Sequence, residues 1–153
     1  MKKLLLTLGL TSVFTISQAQ NPVFGKCEKC PAGREAVLTT DNLVEMYLTS
    51  QDNIRLILEK NGYTTEVQPG FCANFFLKKE GEAVDLIYKR CAEYFQVSQE
   101  SGTKLEELIK TMKPNFMREN NTEKWYSIAY KSKRYKFIVT EVKGKTTLKV
   151  TSF

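Results

Sequence analysis

The chain has 153 residues and a mass of 17.6 kDa, enough for one domain or for two small repeats that share a core. Hydrophobic residues make up 42% and charged residues 26% of the sequence, which is typical of a globular protein. There is no histidine, which excludes Ser-His-Asp and Cys-His catalysis, histidine-ligated zinc and haem attachment through Cys-x-x-Cys-His. We therefore predict no catalytic residue, no cofactor and no metal site.

The first twenty residues have the organisation of an export signal. Lys2 and Lys3 form a positively charged start, residues 4–16 are mainly apolar, and Ser17-Gln18-Ala19 supplies small residues before a cleavage site. The apolar run is shorter than the roughly 20 residues that a membrane-spanning helix needs. A buried N-terminal helix is the alternative. We predict a cleaved signal at 1–19, a periplasmic or secreted mature chain from Gln20, and no lipid anchor because no cysteine follows the cleavage site directly.

Charge is divided unevenly along the chain. Residues 21–102 contain 9 basic and 12 acidic residues, whereas residues 103–153 contain 12 basic and 5 acidic ones. Removal of the signal would lower the net charge from +6 to +4. This modest excess in an exported chain does not favour nucleic acid as a partner. An acidic protein or an anionic envelope glycan is a better match for the basic second half.

The predicted elements begin after an irregular segment at 20–40, which has prolines, glycines and a Cys-x-x-Cys pair but no period. A helical region follows, with apolar residues at helix spacing: Leu43, Met46, Tyr47, Ile54, Ile57 and Leu58. The polar residues 40–42 offer a first cap. Ser50 is a plausible second cap that divides the region into two helices.

Four β-like runs come next, at 63–68, 71–79, 83–90 and 93–98. A two-residue turn at Gly81-Glu82 would place Phe75 opposite Tyr88, Leu77 opposite Leu86 and Lys78 opposite Asp85. These runs are rich in aromatic residues at strand spacing, which favours a core over a ligand pocket: Phe71, Phe75, Phe76, Tyr88, Tyr94 and Phe95.

In the second half, Thr103-Lys104-Leu105-Glu106 predicts a capping box and a helix that ends at Lys113-Pro114. Strands are predicted at 125–131, 135–142 and 146–153, with a turn at Ser132-Lys133 or one residue away and another at 143–145. The expected buried positions of this half are Leu105, Leu108, Ile109, Met112, Ile128, Tyr130, Tyr135, Phe137, Val139, Leu148 and Val150.

The order helix–strand–strand–strand–strand occurs twice. ILEKNGYTTEV corresponds to LIKTMKPNFMRE, FCANFFLKKEG to WYSIAYKSKR, AVDLIYKR to YKFIVTEV and EYFQVSQ to TLKVTSF. This predicts an α+β fold of two tandem units, 41–102 and 103–153, each with a helix or helix pair and an antiparallel meander of three to four strands. Over 41–153 the architecture resembles the β-lactamase inhibitor proteins and is similar to the smaller outer-membrane assembly lipoprotein folds. The resemblance implies a binding role and carries no site residue.

Four cysteines in an exported chain predict disulfides. The hairpin register places Cys72 opposite Cys91 and predicts that they are bonded. Cys27 and Cys30 then pair locally, or each crosses to one of the other two. A thiol–disulfide redox site at Cys27 and Cys30 and a zinc site of all four cysteines are the weaker alternatives.

The strand face opposite the expected core of the second half combines aromatic, apolar and basic residues. We predict that this face binds a partner through Trp125, Lys131, Lys136, Ile138 and Lys149. The alternatives are a solvated face with charged edges and burial of Trp125 between the two units. The sequence thus predicts an exported, non-enzymatic binding protein, a protein-binding or inhibitor-like module. A redox protein or a structural envelope protein remains the other choice.

Overall fold

The structure, a computed structural model, describes residues 21–153 and confirms the α+β class; the predicted signal at 1–19 lies outside the described residues. The described part has three α-helices: α1 Thr40–Leu48, α2 Gln51–Lys60 and α3 Lys104–Met112. The strands are β1 Phe24–Lys26, β2 Arg34–Ala36, β3 Thr64–Gln68, β4 Cys72–Phe76, β5 Leu86–Arg90, β6 Phe95–Glu100, β7 Phe116–Glu119, β8 Glu123–Tyr130, β9 Lys133–Val142 and β10 Lys145–Ser152.

Strands β3 to β10 form one antiparallel sheet in the order β3-β4-β5-β6-β10-β9-β8-β7. Each helical region is followed by a meander of four strands, and the two meanders join through their last strands, β6 and β10. This topology has the element order that the proposed repeat requires, and the repeat itself stays a prediction. The helices cover one face of the sheet, where Phe75, Phe95, Phe137, Leu43 and Leu105 are fully buried. We call the opposite face the outer face.

The segment at 20–40, expected to be irregular, contains the small hairpin β1–β2, in which Phe24 pairs with Ala36. The buried Asn42 of α1 holds the ends of this hairpin, because its Oδ1 accepts from the Val23 N–H at 2.6 Å and its Nδ2 donates to the Val37 carbonyl at 2.7 Å. A residue of α1 thus satisfies backbone groups that the sequence alone leaves without partners.

The helix caps differ from expectation in two places. Thr39, and none of the residues 40–42, caps α1, with its Oγ1 accepting from the Asn42 N–H at 3.2 Å. Ser50 caps α2, as predicted. The prediction of a capping box at Thr103 is wrong, because the Thr103 side chain makes no capping bond. Instead, Oε1 of Gln99 in β6 accepts from the Leu105 N–H at 3.0 Å. A side chain from the neighbouring strand has taken the place of the local cap.

The register of β4 and β5 is confirmed, with Phe75 opposite Tyr88. The turn differs, since the bond from the Glu82 N–H to the Lys79 carbonyl places Glu80-Gly81 at its centre. The strands end before it, so the predicted pairs of Leu77 with Leu86 and of Lys78 with Asp85 are not part of the ladder.

Ion pairs join the β4–β5 connection to two other elements. Lys79 Nζ lies 2.5 Å from a carboxylate oxygen of Glu35 in β2. Asp85 pairs with Lys104 of α3, with Nζ and Oδ2 2.7 Å apart. The connection is therefore held by the N-terminal hairpin on one side and by α3 on the other.

In the second half Tyr130 pairs with Lys133, so the β8–β9 turn is Lys131-Ser132, which is the predicted turn shifted by one residue. All the residues that were expected to face the core are buried. In the first half the aromatic set divides: Phe75, Tyr88 and Phe95 are buried, Phe76 and Tyr94 are half-buried, and Phe71 is 85% exposed. Phe71 lies in the β3–β4 turn with a φ of 58°, which directs it out of the strand alternation.

Candidate binding face and groove

The outer face is built by one row of side chains that crosses all eight strands. The register places Trp125 of β8 beside Ile138 of β9, and Ile138 beside Lys149 of β10. Arg118 extends the row onto β7, and on the other side it continues through Gln96, Lys89, Asn74 and Glu66. Residues that are far apart in the sequence thus lie on one continuous surface, because paired positions in a sheet point to the same face.

Trp125 is the centre of the aromatic part of this face, and it is half-buried. Lys136 Nζ lies 3.2 Å from the centroid of its ring, and Arg118 Cζ lies 5.4 Å from it. The indole N–H donates to Glu123 Oε2 at 3.0 Å. The ring is therefore oriented by a hydrogen bond and by two cation–π contacts before any partner arrives.

Basic residues dominate the central part of the outer face. Lys149 Nζ lies 5.3 Å from the centroid of the Tyr94 ring, so this cation also lies against an aromatic ring. No carboxylate of residues 21–153 lies within ion-pair distance of four cations of the outer face, which are Arg118, Lys149 and Lys89 of the row and Lys136, whose paired positions Ser127 and Thr151 lie beside the row. Their positive charge is thus available to an acidic partner.

The structure brings together four of the five predicted partner-binding residues and places the fifth elsewhere. Ile138 lies in the row between Trp125 and Lys149 but is only 8% exposed, so it supports its neighbours more than it offers contact area. Lys131 lies in the β8–β9 turn and reaches the helical side, where its Nζ is 3.0 Å from Glu45 Oε1 of α1. Lys131 is therefore occupied by a structural ion pair and does not belong to the outer face.

Glu45 itself is a buried carboxylate with two partners. The Tyr130 hydroxyl donates to its Oε1, and Lys131 Nζ donates to the same oxygen. This pairing fixes α1 against the end of the β8–β9 hairpin. It compensates the cost of burying a charged group.

Both cysteine pairs are disulfides. Cys72 and Cys91 are bonded as predicted, and Cys27 pairs with Cys30, which the sequence left open. The Cys27 and Cys30 sulfurs and a Glu35 carboxylate oxygen lie within 4.8 Å of one another, a spacing that could suit a metal. A metal ligand must be a thiolate, however, and these sulfurs are bonded to each other. The cluster as it stands does not fit a zinc ion.

Two buried tyrosines next to the β4–β5 connection are unsuited to act as bases. Burial raises the pKa of Tyr63 to about 12, and burial raises the pKa of Tyr88 well above its usual value. Both stay protonated at neutral pH. The Tyr63 hydroxyl instead accepts from the Ala36 N–H at 2.9 Å and joins the N-terminal hairpin to the core.

A groove that the sequence did not reveal lies between the end of α1, β7 and the start of β9. It is an open groove of about 1030 Å³. Its walls are apolar and aromatic, formed mainly by Tyr47, Leu48, Phe116, Met117, Tyr135 and Phe153. The sequence signal is the apolar pair Phe116-Met117, which begins two residues after the helix-ending Pro114. That pair does not say whether its side chains are covered.

Comparison of the chain with protein-family models, with curated proteins and with solved structures gives no match. Within residues 21–153 no helix is both long enough and apolar enough to cross a membrane. The fold and the outer face therefore define a class, an α+β protein with two disulfides and a basic, aromatic-containing sheet face.

Proposed function

We propose that this chain is an exported, non-enzymatic binding protein that captures an acidic protein partner on the outer face of its sheet. One observation carries the proposal: Glu123 and Lys136 hold Trp125 in place on the outer face, where four cations have no acidic partner in the described part of the chain, namely Arg118, Lys89, Lys136 and Lys149. Aromatic residues and arginine are enriched at protein interfaces. A preoriented ring also loses little conformational entropy on binding.

Export is supported by the two disulfides, which form and persist in oxidising compartments. The signal-like first twenty residues point in the same direction. We place the protein in the periplasm or outside the cell. The architectural resemblance to the β-lactamase inhibitor proteins supports an inhibitor-like role by fold analogy alone.

A redox function at Cys27 and Cys30 is less well supported. Redox-active cysteines are partly exposed and lie in electropositive surroundings. Cys27 and Cys30 are 8% and 7% exposed, and the carboxylate of Glu35 lies beside them. A nearby negative charge disfavours the thiolate. The pair is better suited to hold the β1–β2 hairpin.

The proposal is tested by capture from the exported fraction of the source organism on the immobilised chain. The variant Trp125→Ala/Lys136→Glu/Lys149→Glu removes the ring and reverses two charges of the outer face. We expect it to lose the partner that the unchanged chain retains. Raised salt should release that partner, because screening weakens contacts between exposed charges.

The matched control is Phe71→Ala/Lys110→Glu/Lys143→Glu, which makes the same kinds of change at exposed residues off the row. Circular dichroism and urea unfolding verify that both variants are folded. Undiminished capture by the outer-face variant, or equal loss in the control, would refute the site. A captured partner that resists protease and is degraded by a glycosidase would replace the acidic protein with an anionic glycan.

A further inference from the structure

We propose that the groove between the end of α1, β7 and the start of β9 binds a single-chain anionic amphiphile, of the class of a long-chain carboxylate. The hydrocarbon chain lies along the apolar walls, and the anionic group lies at Lys133 and Arg134. This site shares no residue with the Trp125 row and does not depend on the function proposed above.

The apolar walls are the first argument. Of the eleven large hydrophobic residues that are exposed in the described chain, four line this one groove: Leu48, Phe116, Met117 and Phe153. Their side chains are 46%, 46%, 57% and 66% exposed. Single exposed hydrophobic residues are ordinary, but a cluster of them in a concave site is typical of a binding site.

The charge of the lining is the second argument. Lys133 and Arg134 line the groove, whereas no aspartate or glutamate does. Neither cation has an ion-pair partner among residues 21–153. Arg134 Nη1 donates to Ser127 Oγ at 2.9 Å, which orients the guanidinium and leaves its other donors available. A planar guanidinium with free donors is suited to a carboxylate or a phosphate.

The combination of two cations with a long apolar wall favours an amphiphile over a small polar molecule. Arg134 pairs with Ala129 of β8, whereas Phe116 pairs with Tyr126 of the same strand. Three residues of strand separate these pairs, a distance of about 10 Å. Tyr135 and Phe153 lie next to the two cations, so the apolar wall continues from the cations towards Phe116. Its volume of about 1030 Å³ is at the upper end of the range for small-molecule sites, which is consistent with a long chain.

The direct test uses the purified chain and cis-parinaric acid, a fluorescent long-chain carboxylate, below its aggregation concentration. We expect saturable binding of one molecule per chain. Palmitate should displace the probe, and hexadecanol, which has the same chain length without the charge, should displace it less well. Absence of saturable binding would overturn the proposal.

Two double variants test the apolar walls and the cations of the groove independently. Leu48→Ser/Met117→Ser should weaken palmitate binding about tenfold, because it removes apolar contact area with the chain. Lys133→Gln/Arg134→Gln should weaken palmitate binding about fivefold and leave hexadecanol unaffected. The controls are Leu56→Ser/Val67→Ser and Lys110→Gln/Lys143→Gln, which change exposed residues outside the groove.

The same experiment separates the other occupants of the groove. Equal losses in the groove and control variants would mean nonspecific adsorption and would refute the site. A concentration-dependent dimer in analytical ultracentrifugation that dissociates on Met117→Ser would show that a second copy occupies the groove instead. Palmitate binding that survives Trp125→Ala, as we expect, would separate this site from the outer face.

Discussion

The ammonium nitrogen of Lys136 lies 3.2 Å from the centre of the Trp125 ring, on neighbouring strands of the outer face. Trp125 is the single tryptophan of the chain, so the tryptophan fluorescence reports on the surroundings of this one ring. We expect Lys136→Gln to shift the emission to longer wavelength, because the ring gains contact with water. The stability should fall by about 0.5–1 kcal/mol in urea unfolding.

Lys149→Gln is the matched control for this prediction, since Lys149 lies over Tyr94 and not over the tryptophan. The emission spectrum of Lys149→Gln should equal that of the unchanged chain. An unshifted spectrum for Lys136→Gln would show that the cation does not cover the ring in solution.

The two disulfides should differ in their contribution to stability, because they close loops of different length. Cys72 and Cys91 are 19 residues apart, and Cys27 and Cys30 are 3 apart. In the loop-entropy model, Cys72→Ala/Cys91→Ala should cost about 3 kcal/mol and Cys27→Ala/Cys30→Ala about 2 kcal/mol. Urea unfolding of both double variants measures the difference. A larger loss for the short loop would indicate that β1–β2 anchors the fold more than its size suggests.

Removal of the buried Glu45 carboxylate should destabilise the fold. Glu45→Ala leaves the Tyr130 hydroxyl and the Lys131 ammonium without their acceptor, and we expect a loss of about 2 kcal/mol. Lys131→Met should cost less, because Glu45 keeps its bond from Tyr130 and the lysine side chain is half exposed. Thermal unfolding of the two variants checks this order. The opposite order would contradict the role of Tyr130 as the main partner of Glu45.

Lowering the pH should destabilise the fold in part through protonation of the Asp85 carboxyl. Burial alone would raise the pKa of the Asp85 carboxyl, but hydrogen bonds from Lys104 and Gln99 outweigh burial and hold this pKa below its usual value of 3.8. A carboxyl with a lowered pKa stabilises the fold above the unfolded pKa and loses this contribution as pH falls through the folded one.

We therefore expect the unfolding free energy to decrease below about pH 3.8, and Asp85→Asn to reduce that decrease. Urea unfolding from pH 6 to pH 2 gives both curves. Glu106→Gln, at an exposed acid with no ion-pair partner in residues 21–153, is the control and should retain the slope of the unchanged chain. Identical curves for Asp85→Asn and the unchanged chain would exclude the contribution of Asp85.

The parts of the fold that the sequence predicted are those that depend on local periodicity. The apolar spacing of Leu105, Leu108 and Ile109 predicts one buried helix face, and all three are buried. The alternation in β4 and β5 fixes Phe75 opposite Tyr88, and that register is sufficient to pair Cys72 with Cys91. A shift of one residue would send the whole apolar set to the other face, so the pattern determines the register.

One local detail of the Cys72–Cys91 pair came from the structure. A strict two-residue turn makes this site a hydrogen-bonded one, which is less suited to a disulfide. The Cys91 N–H instead donates to the Tyr94 carbonyl, and the two Cα atoms are 4.3 Å apart, the spacing of a non-hydrogen-bonded pair.

Contacts between residues that are distant in the sequence were decided by the tertiary structure alone. Lys131 was expected on the outer face, but Glu45 lies 86 residues earlier and no local pattern shows that the two meet. The same reason explains why Gln99 replaces the predicted cap of α3. It also explains why the groove around Phe116 and Met117 was not foreseen.

Composition and periodicity therefore determined the α+β class, the buried faces and the Cys72–Cys91 bond, because strand alternation and helix spacing are properties of neighbouring residues. The position of Lys136 over Trp125, the Glu45 ion pair and the open groove arise where separate elements pack together. Packing brings side chains into contact according to shape and charge, and the order of residues in one strand or helix does not contain that information.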